Sequence, residues 1–179
     1  MTITSRDEEF SAFVRARRSD LLRSAYLLTA GDRHLAEDLV QTALAKLYVA
    51  WPRARRDGQV RYAWRILVNA HLDEVRRPRW ARERTVAAPP DLPDPAASPY
   101  ETALTAFPDE IDGAAVRAAL AALPPGMRAA VVLRHWADFS TQETAKTLGC
   151  SEGTVKSQTA KGLARLRELL DSTYQGATK

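Results

Sequence analysis

The sequence predicts an all-α fold: two small helical domains joined by a flexible, proline-rich acidic linker. Three observations carry this expectation. Apolar residues recur at three- and four-residue spacings with no sustained two-residue alternation, so helices are expected and strands are not. Six of the ten prolines fall within residues 89–108, where neither a helix nor a central strand can persist. Residues 140–170 spell out, through their caps, a short helix, a glycine turn and a longer helix.

The first helix is marked by Phe10, Phe13, Val14, Leu21, Ala25 and Leu28, which share one face. Gly31-Asp32 interrupts it, and Asp32 is a good N-cap for the next helix. Leu35, Leu39, Ala43 and Leu47 form the stripe of that second helix, which is expected to end at Trp51-Pro52. A basic loop from Arg53 to Arg61 should follow. Tyr62, Ile66, Ala70 and Asp73 then share the face of a third helix that stops before Pro78.

Beyond the prolines, Ile111, Ala115, Ala119 and Leu123 mark a short helix that ends at Pro124-Pro125-Gly126. Met127 to Trp136 forms another, with Val131, Val132 and His135 offering apolar area. Ser140-Thr-Gln-Glu143 is a capping box, in which the serine hydroxyl and the glutamate each satisfy one orphan amide. The helix it opens runs to Leu148, and Gly149 is the expected left-handed residue after it. Ser151 caps a longer helix reaching about Leu170. The expected domains are residues 6–78, a linker over 79–112, and residues 113–172. As a coil, the linker's 34 residues would span about 33 Å.

Charge is blocked along the chain. The 179 residues carry a net charge of +4, with 45% apolar and 27% charged residues, as in an ordinary soluble protein. Residues 51–90 hold ten basic and four acidic groups, residues 91–113 none and six, and residues 114–179 nine and five. Two basic bodies flanking an acidic connector suggest a polyanionic partner for the basic parts. The single cysteine, Cys150, excludes an intrachain disulfide and a cysteine-pair zinc site. Residues 1–10 are too polar for a secretion signal, and no apolar run approaches the ~20 residues of a membrane span. A cytoplasmic protein without membrane insertion is expected.

The segment from Ser140 to Leu170 has the chemistry of a helix-turn-helix, in which the second helix lies in the DNA major groove. Ala145, Leu148, Val155 and Leu163 supply the packing. Lys156, Ser157, Ala160 and Lys161 face outward, with Thr154 and Gln158 at the margins. Lysine can donate to guanine or phosphate, and glutamine can pair with adenine. In the first domain Trp51, Tyr62, Trp64 and Trp80 are interleaved with Arg53, Arg55, Arg56, Arg61, Arg65, Arg76, Arg77 and Arg79. Aromatic faces stack on unpaired bases while arginines follow the backbone, the pattern of single-strand binding. The same aromatics also suit a core, since half of each helix must be buried.

Four strings resemble one family in the right order: Ala36-Glu-Asp-Leu-Val-Gln41, Trp64-Arg-Ile-Leu-Val-Asn-Ala70, the Leu123-Pro-Pro turn and Glu152-Gly-Thr-Val-Lys-Ser157. Nearly the whole chain resembles the extracytoplasmic-function group of bacterial RNA polymerase sigma factors. Its arginine- and alanine-rich usage and the string Arg76-Arg-Pro-Arg-Trp80 are similar to the SigE-like subgroup. The resemblance implies a factor that binds core RNA polymerase and directs initiation by reading −10 and −35 promoter elements. Asp38 and Gln41, with Leu44 and Leu47 beside them, would dock on the clamp helices of β′, and the second domain would meet the flap of β. Arg53, Arg55, Arg56, Arg61, Trp64, Arg65 and Asn69 would hold the melted −10 strand, and Arg76 and Arg77 upstream phosphates. Thr154, Lys156, Ser157, Gln158, Ala160 and Lys161 would read the −35 duplex. An anti-sigma factor is an expected further partner, and no cofactor is implied.

Two other classes remain to be weighed. A stand-alone helix-turn-helix regulator would bind duplex DNA as a dimer but would leave the aromatic-basic helix and the Asp38/Gln41 helix without a task. An enzyme is not expected: His34, His71 and His135 lie apart without metal spacing, and no glycine-rich loop accompanies them.

Overall fold

The computed structural model describes residues 3–77 and 113–176; the expected linker, with Ile111, lies outside them. All regular structure among the described residues is helical: α1 (Ile3–Leu28), α2 (Arg33–Asp57), α3 (Gln59–Arg76), α4 (Gly113–Ala121), α5 (Pro125–His135), α6 (Thr141–Leu148) and α7 (Glu152–Gly176).

Local chemistry sets most of the boundaries. After Leu28 the chain turns through Ala30 and Gly31, both with positive φ. Asp32 then accepts the Leu35 N–H at 3.0 Å and caps α2. Ser140 and Glu143 form the expected reciprocal box at 3.1 and 2.8 Å. Gly149, at φ 66°, closes α6 by donating to the Ala145 carbonyl. Ser151 Oγ accepts the Thr154 N–H at 3.1 Å and opens α7.

One expected boundary is wrong. α2 runs through Pro52 to Asp57, so the segment Arg53–Arg61 is not a loop. Proline at 52 cannot donate to the carbonyl four residues back, that of Tyr48. The Arg6 guanidinium, reaching across from α1, donates to the Tyr48 carbonyl instead. Only Gly58, at φ 90°, breaks the helix, and Arg53 to Arg56 therefore ride on its last turns.

α1, α2 and α3 form one body. Trp51 is fully buried there, edge-on to Phe10 and Phe13 at 5.1 and 5.3 Å. α4 to α7 form the second body. Within it α7 approaches α5 closely at Gly162, where a Cβ would lie 2.6 Å from a Val131 methyl and 3.0 Å from Met127 Cγ. Gly162→Val is therefore expected to cost about 2 kcal/mol by overpacking; unchanged stability in denaturant would contradict the close approach. The two bodies are not separate: α5 packs on α1 and α3, and α6 packs on α3. Their apolar residues make one continuous core that includes Leu28, Trp64 and Leu67 as well as Leu120, Leu133 and Phe139.

This shared core also shifts the register expected for α3. Its buried side carries Ala63, Trp64, Leu67, Val68, Ala70 and His71, while Tyr62 and Ile66 are half-buried and Asp73 is exposed. A helix gripped from two directions buries more than one stripe. His135, expected to offer apolar area, is exposed near the end of α5.

Candidate nucleic-acid interface

α7 presents the residues expected to face outward. Val155 and Gly162 are buried against the body, which turns Lys156, Ser157, Ala160 and Lys161 to solvent. Thr154 is half-buried and its hydroxyl pairs with Ser151 at 2.9 Å, so it belongs to the helix cap. Ser157 donates to the Thr154 carbonyl at 3.0 Å, leaving its oxygen lone pairs outward. Gln158 is half-buried beside Gly126: a Cβ there would lie 3.8 Å from the glutamine amide nitrogen. The helix thus offers two cations in its first three turns and a capped N-terminus, which suits a major-groove reader.

The basic face of the first body lies along α3. Arg61, Arg65 and Asn69 fall at four-residue intervals and are all exposed, so they form a single ridge. The Arg65 guanidinium sits 5.6 Å from the centre of the Tyr62 ring. Arg53 and Arg56 are exposed on the end of α2. Arg55 pairs with Glu9 at 3.2 Å, Arg76 with Asp73 at 3.8 Å and Arg77 with Glu74 at 3.0 Å. All three pairs are exposed enough to exchange for a phosphate.

Trp64 does not lie on that ridge. It is 6% exposed and packs edge-on to Phe139 at 6.1 Å. Trp51 is core, settling the alternative left by the sequence. On α2, Asp38 and Gln41 are exposed and line a groove between α2 and α3. Leu44 and Leu47, expected beside them as contacts, instead point into the core at 8% and 0% exposure. They lie on the inner stripe with Val40 and Ala43, and a partner docking on α2 would meet the opposite side.

Four residues of the second body carry contacts that the sequence did not reveal. The α5–α6 turn and the start of α6 bring Asp138, Phe139 and Glu143 against α3. Arg61 donates to the Asp138 carbonyl at 3.4 Å, pairs with the Glu143 carboxylate at 3.1 Å, and stacks over Phe139 at 4.7 Å. The Ser140 N–H holds the Glu143 carboxyl below the usual carboxylate range, with Arg61 and Lys146 adding to the effect. Arg128, buried in α5, donates to the Leu28 carbonyl at the end of α1 at 2.9 Å. A lone arginine in the apolar run Met127–Leu133 was the available signal, but its acceptor lies 100 residues away in sequence.

Near Arg128 lies His71, 2% exposed, with neither ring nitrogen meeting a partner among the described residues. Burial, with the Arg128 charge adding to it, pushes its pKa down to about 4. The imidazole is therefore neutral in the fold, and the unfolded chain binds its proton first. Stability is fully present above pH 6.5 and is lost as pH falls toward 4, by about 3 kcal/mol from this group alone. Denaturation of His71→Gln between pH 7 and 4 should show a flatter profile than the parent chain. An equal slope would contradict a buried neutral histidine.

Among the described residues there is no cluster of His, Cys, Asp or Glu that could hold a metal, and no helix long and apolar enough to cross a membrane. Residues 13–81 match the family model Sigma-70 region 2, and residues 113–166 match Sigma-70, region 4. The RNA polymerase sigma-E factor of Streptomyces coelicolor is 41% identical over 166 residues, covering 90% of this chain and 86% of that protein. The extracytoplasmic-function sigma factor SigE of Mycolicibacterium smegmatis is 36% identical over 158 residues, 88% of this chain and 60% of that one. The structure of the sigma factor RpoE in complex with the anti-sigma factor NepR from Bartonella quintana aligns with a TM-score of 0.67 at 24% identity. It covers 92% of this chain and 98% of that one. At that identity the likeness is one of fold.

Proposed function

This chain belongs to the extracytoplasmic-function group of the sigma-70 family of RNA polymerase sigma factors, and from that premise we propose how its surfaces divide the work. It directs promoter-specific initiation of transcription. The observation that carries the division is the outward face of α7, where Lys156 and Lys161 stand exposed behind a capped helix start.

Residues 113–172 read the −35 duplex through Lys156, Ser157, Ala160 and Lys161, with Thr154 and Gln158 supporting the helix end. Residues 6–78 dock on core polymerase and hold the −10 strand. Arg61, Arg65 and Asn69 track the melted strand along α3, Arg53, Arg55 and Arg56 extend that surface, and Arg76 and Arg77 meet upstream phosphates. Trp64 supplies a stacking face once Phe139 is withdrawn. Extruding a base costs a few kcal/mol, and stacking on an aromatic returns about 1–3 kcal/mol. Strand capture, with no catalysed reaction, fits this near-balance. The chain works in the cytoplasm, and an anti-sigma factor is a fitting partner for surfaces of this kind. A stand-alone regulator is not favoured, because it has no use for the region 2 body.

Docking on polymerase falls to Asp38 and Gln41, the polar edge of the α2–α3 groove. Asp38→Arg reverses a charge on an exposed position and leaves the fold intact. Its expected effect is a loss of core-polymerase binding of about a hundredfold, read by pull-down of the full chain. Normal assembly by this variant would contradict the docking assignment.

A further inference from the structure

We propose that Glu74 is a further polymerase-docking residue, and that docking on it releases Arg77 for DNA. This rests on the assignment of Asp38 and Gln41 to core polymerase and of Arg77 to an upstream phosphate. Asp38 and Gln41 form one lip of the α2–α3 groove, a depression of about 480 Å³. The other lip belongs to the end of α3 and carries Ala70, Asp73, Glu74 and Arg77. A partner seated against Asp38 and Gln41 therefore meets the end of α3 as well. The lining holds three carboxylates, those of Asp38, Asp73 and Glu74, against the two cations Lys46 and Arg77. That balance is acidic and suits a cationic side chain on the docking segment of polymerase.

Helix physics makes the two α3 carboxylates unexpected where they are. Asp73 and Glu74 lie in the last turn of α3, where the negative end of the helix dipole disfavours anions and favours cations. Arg76 and Arg77 offset them there, Arg76 with Asp73 at 3.8 Å and Arg77 with Glu74 at 3.0 Å. The two pairs are not equivalent. In the first, the side chains of Arg76 and Asp73 are 71% and 70% exposed, whereas that of Glu74 is only 22% exposed. Glu74 is thus the anion drawn into the groove, and Arg77 the cation it withholds. A polymerase cation that takes the Glu74 carboxylate leaves Arg77 to a phosphate. Exposed pairs are individually weak, so such an exchange needs little driving force. The coupling is reciprocal, and bound DNA in turn favours docking.

The test is a double-variant cycle on the full chain with two readouts. Glutamine keeps the shape of Glu74 and is as good a helix former, so Glu74→Gln should fold normally. Affinity for purified core RNA polymerase, read by anisotropy of the labelled chain, should fall about tenfold in this variant. It should rise about twofold to fivefold in Arg77→Ala, which yields Glu74 to the partner. The opposite signs are decisive, because a pair that only held the end of α3 together would weaken docking in both variants. Without polymerase, affinity for a mixed-sequence duplex of about 20 base pairs should rise about twofold to fivefold in Glu74→Gln, with a salt slope steeper by about 1. Adding Arg77→Ala to that variant should cancel the gain. Undiminished polymerase binding by Glu74→Gln, a loss in both single variants, or no gain on the duplex would each overturn the inference. Asp38→Arg, measured alongside, separates it from the reading beneath it. If Asp38→Arg assembles normally, the docking groove itself is refuted, and this inference with it; if Asp38→Arg fails to assemble while Glu74→Gln binds as the parent does, the inference alone falls.

Discussion

Arg128→Ala is expected to lower the stability of the chain by about 3 kcal/mol or more. The residue is 8% exposed, and its guanidinium serves three carbonyls: Leu28 at 2.9 Å, Leu123 at 3.1 Å and Ala121 at 3.4 Å. Leu28 is the last residue of α1 and Ala121 the last of α4, so both are helix-end carbonyls without intrahelical partners. A cation is suited to that position because both helix dipoles point their negative ends at it. Burial pushes the arginine pKa down, but from so high a starting value that the group stays charged at neutral pH. Truncation would remove the charge-assisted bonds, leave buried acceptors unserved and open a cavity between the bodies. The midpoint of thermal unfolding should drop by about 10 °C. Arg128→Met fills most of the volume and should recover only the packing part of the loss. A change below about 1 kcal/mol in Arg128→Ala would show that the three bonds carry no net stability.

Lys156→Ala combined with Lys161→Ala is expected to weaken binding to a −35 duplex by about tenfold to a hundredfold, leaving polymerase assembly intact. Both side chains are exposed on the outer face of α7. Alanine is the better helix former, so the fold should not suffer. Each lysine that neutralises a phosphate releases a counterion, so two losses should reduce the salt slope of binding by about 2. A lysine that instead contacts a guanine should relax preference at one position and leave the slope alone. Measuring affinity against salt for each single variant separates these roles. Loss of polymerase binding in the double variant, or undiminished duplex binding, would contradict the assignment of α7.

Most of the helical framework was legible because its signals are local. Asp32, the Ser140/Glu143 box and Gly149 each act within four residues, and each sits in the conformation its chemistry requires. The missed features depend on distant partners. Pro52 reads as a stop because proline removes a donor; that Arg6 would serve the stranded Tyr48 carbonyl is not visible in any short window. The periodic pattern of α3 gives one stripe, but whether a second body covers the adjoining Trp64 depends on packing between segments far apart in sequence. The outward face of α7 is more legible than the face of α3 for the same reason. α7 has one buried side and one open side, so its spacing alone separates Lys156 and Lys161 from Val155. The aromatic-basic segment is ambiguous by nature: Trp51 and Trp64 have the same composition signal as surface stackers, and both are buried. Leu44 and Leu47, expected to act beside Asp38 and Gln41, continue the apolar stripe of Leu39 and Val40, which the core claims.

Promoter-directed initiation is tested most directly by run-off transcription with purified core RNA polymerase on fragmented genomic DNA of the source cell. Adding the chain should produce discrete transcripts whose start sites share two upstream motifs, and Asp38→Arg and the α7 double variant should each abolish them. Transcripts that are the same with and without the chain, or a chain that never joins the polymerase, would contradict the account.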